Sequence, residues 1–270
     1  MSEQKTYPFL TALLSLFPIS LLLLIDIYCM LLQPYAKALS HLAFAVLVAQ
    51  LLCSLVFIKG DICNGQRSRL SQVQSYFGVF WVLWFLLSLF SNYHYILTDM
   101  ICLCGIVMVL AARKQPQAPG IRRSVLLMGV FAGVIGMIFY LLMLINIPIL
   151  GWIQYNVVAQ TLLGIVLANL VLVISRNRLQ GFIGLLPLVT VVLLLLNAIA
   201  VLILLAVSHE SAVDFSNDFA FILYFVLHLV MAFILAIHIF RKTKLNYQSL
   251  MILLTMAATL PLWSTFAYIQ

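Results

Sequence analysis

The chain has 270 residues, 65% of them hydrophobic and only 8% charged, with a formal net charge of +7. A soluble domain carries about 25% charged residues, so this chain cannot cover a water-facing surface and its solvent must be lipid. The basic excess does not point to nucleic acid, because the lysines and arginines fall in short clusters one helix hairpin apart and not along one stripe.

The expected fold class is all-α: a polytopic transmembrane helix bundle making up one integral membrane domain, 1–270. The first apolar run follows Lys5. It is longer than the h-region of a signal peptide and lacks a small-residue cleavage site, so it is expected to stay as a membrane helix. About 20 apolar residues cross the bilayer core as a helix. That length predicts nine spans: 9–32, 37–58, 73–90, 95–112, 124–146, 157–175, 181–207, 219–240 and 248–267. The third and fourth are short, the seventh is long enough to tilt, and Pro261 and several threonines interrupt the ninth.

Charge supports that count. With Met1 cytoplasmic, the inner segments hold Lys5; Lys59, Arg67 and Arg69; Arg113, Lys114, Arg122 and Arg123; Arg176 and Arg178; Arg241, Lys242 and Lys244. That is thirteen of the fourteen basic residues, and only Lys37 is left outside. The outer segment before the eighth span carries Glu210, Asp214 and Asp218 instead. By the positive-inside rule the N-terminus is cytoplasmic and the C-terminus outside. Adding or removing one span would destroy the alternation. The expected location is the cell inner (cytoplasmic) membrane.

In chain order, the polar residues at membrane depth are few. Asp26 lies six residues before the end of the first span, about 9 Å below its outer end. Lys37 and His41, four apart at the start of the second span, are expected on one helix face, with Lys37 pairing to Asp26. The stretch "SNYHYILTD", 91–99, reads as the outer turn between the third and fourth spans. Tyr93 and Tyr95 fall at headgroup level, and Asp99 about one turn inside the membrane. Ionisable groups at such depth face the bundle interior or a water-filled cavity. Asp26, Lys37, His41 and Asp99, with His94 beside them, form an outer polar layer and are candidates for a solute or ion pathway.

"GVFAG", 129–133, followed by Gly136, offers a smooth stripe for close helix approach. The segment 146–156 reads as an interfacial loop. Asn169 and Asn197 can bond between helices or to a solute. His228, in mid-span with Tyr224 one turn earlier, is the fifth pathway candidate. His228 and His238 are about 15 Å apart along one helix and point about 80° apart, so they cannot share a haem, and no cofactor is expected. The five cysteines include no C-x-x-C pair. Cys102 and Cys104 face different sides of a helix, which argues against a shared metal.

The motifs of zinc proteases, serine hydrolases and P-loop nucleotide enzymes are absent, and no two acidic residues share a helix turn within a span. Three functions remain, in order. The first is a small-solute permease or transporter. The second is a non-transporting anchor or assembly subunit of a larger membrane complex. The third, disfavoured by the missing motifs, is a membrane-embedded enzyme. The expected partners are the lipid bilayer and either other membrane subunits or further copies of the chain, with no nucleic acid.

Overall fold

The computed structural model describes residues 8–33, 37–176, 180–209 and 217–267, and all regular structure among them is helical. The helices are α1 (Pro8–Leu32), α2 (Ala43–Lys59), α3 (Asn64–Ser75), α4 (Phe77–Phe90), α5 (Ile96–Arg113), α6 (Pro119–Ile145), α7 (Val157–Ile174), α8 (Gln180–His209), α9 (Asp218–Phe240) and α10 (Tyr247–Phe266). A 3-10 turn (Ile149–Ile153) precedes α7. Eight helical segments are long and apolar enough to cross a bilayer, α3 and α4 together making one of them, and the seventeen-residue α2 is a ninth apolar helix. Each expected span therefore has its helix. Lys5, Arg178, Glu210, Asp214 and the C-terminal Gln270 lie outside the described residues.

The centre of the bundle is the pair α2 and α7. α2 buries an almost unbroken run from Ala43 to Gln50, and α7 buries one from Leu162 to Leu172. A helix apolar all round has protein on all sides. Gly164 of α7 brings the two backbones together: a Cβ there would lie 2.6 Å from the Ala45 carbonyl and 2.7 Å from Val48 Cβ. Both helices enter from the end of the bundle that holds the 91–95 turn, since Ala45 N–H donates to Gln160 Oε1 and His41 stacks on Tyr155. α5 and α6 flank α2, α8 and α10 flank α7, and α9 lies outermost against α10. The glycine stripe of α6 works as its spacing suggests. Added Cβ atoms would meet Ala111 Cβ at 2.8 Å from Gly129, Met108 Sδ at 2.5 Å from Gly133 and Cys104 Cβ at 3.0 Å from Gly136.

Two features depart from the sequence expectation. The basic segment before the third span is the polar helix α3, continuous with α4 except for a break at Tyr76. Its side chains take carbonyls at the C-terminal ends of three other helices: Arg67 that of Phe57, Arg69 that of Ser175 and Ser71 that of Ala112. The last four carbonyls of a helix have no partner within it, and cations there also meet the negative end of its dipole. Arg67 reaches Gln115 as well, so three basic segments meet at one end of the bundle. The second departure is in α2, which starts at Ala43 and not at 37. Residues 38–42 are fully buried but not helical.

The gathering of the basic segments predicts that a reporter active only outside the cytoplasm is active when inserted after Asn92 and silent after Lys244. Activity at both sites would break the nine-span count. The backbone contact at Gly164 gives a second expected outcome. Gly164→Ala should lower the midpoint of thermal unfolding in detergent, by about 1–3 kcal/mol of overpacking. Gly184→Ala, where an added Cβ meets nothing within 4 Å, should not.

Candidate functional site

Non-helical backbone surrounded by protein at membrane depth needs a partner for each polar group. At about 1.5 Å per residue α2 is roughly 26 Å long, short of a ~30 Å hydrocarbon core, and residues 38–42 make up the difference. Asp26, itself fully buried on α1, supplies the main anchor. Its carboxylate accepts from Ser40 Oγ at 2.5 Å and from the His41 backbone N–H at 2.6 Å. Ser40 Oγ in turn accepts from the N–H of Ala43 at 2.9 Å, which caps the start of α2. The 91–99 stretch holds the other edge: Ala38 donates to the Tyr93 carbonyl at 2.7 Å, and Thr98 Oγ1 donates to the Ala38 carbonyl at 2.7 Å. The polar stretch is a turn, as expected, and its backbone clamps a buried segment.

This geometry corrects two expectations. Lys37 and His41 do not share a helix face, because Asp26 and Ser40 set the start of α2 beyond both. Nor does Lys37 pair with Asp26: its ammonium lies over the Tyr95 ring, 5.0 Å from the centroid. Such a contact suits a cation at headgroup level.

Around Asp26 the structure gathers an outer polar nest. The His41 ring is fully buried and stacked on Tyr155, centroids 4.1 Å apart, with Nδ1 3.9 Å from the Asp26 carboxylate. Trp84 of α4 turns its indole N–H towards Asp26, and Ser88 lies one helical turn further along the same face. Asp99, in the first turn of α5, receives His94 Nε2 at 2.5 Å. Several polar atoms here are buried without a hydrogen-bond partner: both ring nitrogens of His41, Ser88 Oγ, Asp99 Oδ1 and, next to Tyr155, Gln154 Oε1. Buried polar groups are nearly always paired, and each that is not costs about 1–3 kcal/mol. A cluster of them marks a place that a polar solute or waters complete.

His228 is not part of this nest. Its Nδ1 hydrogen-bonds the Tyr224 carbonyl at 2.8 Å and its Nε2 the Asn197 amide at 2.6 Å. Asn197 also donates to Tyr224 Oη and accepts from Asn156, the N-cap of α7. The two groups touch through the chain itself, because Tyr155 serves the nest and Asn156 the His228 network. His238 has separate partners, the Ile234 carbonyl and Ser249. Asp26, His41 and Asp99 are thus brought together, Lys37 sits at the rim, and His228 stands apart. Sequence reasoning missed Ser40, Trp84, Ser88 and Tyr155. The four-residue spacing of Trp84 and Ser88 was the one signal available for them.

The fold defines a polytopic α-helical membrane protein. A family model described as an integral membrane domain matches residues 4–266, and the chain belongs to that family. It is also similar to a Haemophilus influenzae protein titled "Uncharacterized protein", 46% identical over 267 residues that cover 98% of this chain and 100% of the relative. No solved structure matches.

Pairwise coupling tests the anchor. Asp26→Asn and Ser40→Ala should be strongly non-additive in thermal unfolding, since both break one interaction, whereas Asp26→Asn and Lys37→Gln should add. Coupling in the second pair and none in the first would restore the ion pair expected from the sequence.

Proposed function

We propose that this protein is a small-solute permease of the cytoplasmic membrane, with the outer nest as its solute-binding centre. The observation that carries the reading is the set of unpartnered polar atoms on His41, Ser88 and Asp99, buried at the same end of the bundle as the Asp26 carboxylate. A structural core would have paired them or replaced them with apolar atoms. Their chemistry sets the class of solute. Asp99 Oδ1 and Gln154 Oε1 accept, and His41 and Ser88 donate or accept, so a small polar solute with both donors and acceptors fits. Two helices, α2 and α7, start beside the nest, as broken helices do around midplane sites in secondary transporters. The basic inner segments support the cytoplasmic-membrane assignment.

His41→Phe separates this reading from a packing role. The ring stacked on Tyr155 is kept and two unpartnered nitrogens are removed, so the empty protein should be as stable as wild type or more so. Thermal-shift screening of the purified protein against amino acids, polyols, sugars and small carboxylates should find a solute that raises the unfolding midpoint of wild type but not of His41→Phe. Co-purification of stoichiometric partner proteins with no solute response would replace the permease by a membrane-complex subunit.

A further inference from the structure

At the opposite, basic end, a cavity of about 660 Å³ lies between the end of α7, the start of α8 and the end of α9. That volume is within the range of small-molecule sites, about 300–1,000 Å³. Val173, Ile183 and Pro187 give it apolar walls, and Leu188, which also lines it, is 53% exposed, so the cavity opens sideways towards lipid. Lys242 and Lys244 line its other end, where α9 stops, and both are exposed. Asn169 also lines the cavity. It is only 2% exposed, and its Oδ1 has no hydrogen-bond partner. Five residues separate Asn169 from the end of α7, which places it about 7.5 Å below the basic end of that helix, near headgroup depth.

We infer that this cavity binds an anionic phospholipid of the cytoplasmic leaflet whose headgroup carries a hydroxyl, with the chemistry of phosphatidylglycerol. The phosphate meets Lys242 and Lys244, the headgroup hydroxyl donates to Asn169 Oδ1, and an acyl chain lies along Pro187 and Leu188 and leaves towards the bilayer. Basic pockets between membrane helices on the cytoplasmic side recognise anionic headgroups in this way, and charge complementarity selects them over zwitterionic lipids. The site is separate from the outer nest and stands whether or not the protein is a permease.

Native mass spectrometry of the full-length protein, exchanged into equal amounts of phosphatidylglycerol and phosphatidylcholine, tests the assignment. Wild type should retain one phosphatidylglycerol with a preference of roughly tenfold or more, from two lysines near the phosphate. The double variant Lys242→Asn, Lys244→Gln should lose the preference. Asparagine suits position 242, where the backbone is left-handed (φ 52°). Gly184→Leu directs a side chain into open space at the cavity wall and should abolish retention without lowering the unfolding midpoint. Equal retention of both lipids by wild type, or retention by Gly184→Leu, would overturn the proposal. So would a preference for oleate over phosphatidylglycerol, which would make the ligand a free acid.

Discussion

The carboxylate of Asp26 is the interaction on which the upper half of the bundle depends. It is buried where a lone charge would be very costly, and it holds the backbone of a segment that could not otherwise remain irregular inside a membrane protein. Because Asp26 takes Ser40 and the His41 N–H, α2 begins at Ala43, the His41 ring lies on Tyr155, and the clamp from Tyr93 and Thr98 has a strand of backbone to close on. The nest is thus built on the anchor. Stopping a helix early inside the membrane leaves polar groups that the chain itself satisfies only in part.

The basic end solves the complementary problem. There the central helices terminate, and their carbonyls are met by Arg67, Arg69 and Ser71 of α3. A loop of flexible cations would leave those carbonyls to water. A short polar helix fixes three donors at once and joins α2, α5 and α7 into one block. The two ends differ in means: at the basic end side chains of one helix bond the terminal carbonyls of its neighbours, while at the outer end a buried carboxylate anchors an irregular segment.

Much of this was legible in the sequence. Apolar length placed an apolar helix at each expected span among the described residues, and the glycines of α6 marked close packing. Asp26, His41 and Asp99 were picked out because ionisable residues are rare in such a chain. What failed did so for a physical reason. The expectation for Lys37 rested on helical geometry over 37–41, and apolar length cannot tell helix from buried irregular chain when a distant carboxylate anchors the backbone. Trp84 and Ser88 were illegible as site residues because tryptophan and serine are ordinary in membrane helices, and only the fold brings them to Asp26. His228 stood out as a mid-span histidine, yet its two nitrogens are matched by Tyr224 and Asn197.

The segments "FPISLLLLID", 17–26, and "LPLVTVVLLLLN", 186–197, each run from a proline through leucines to Asp or Asn, and the structure gives this likeness a mechanical explanation. Each segment is a proline-containing helix that ends its leucine run in a polar residue, Asp26 or Asn197. Each polar residue holds the start of one central helix: Asp26 takes Ser40 and His41 before α2, and Asn197 takes Asn156, the N-cap of α7. The order along the chain is reversed, however. Asp26 precedes the helix it anchors and Asn197 follows its own, so a direct repeat does not account for the pair. Two helices that are buried where they start beneath the outer surface each need a donor or acceptor from a neighbour at that depth. An apolar helix with one Asp or Asn near that level is the simplest way to provide it.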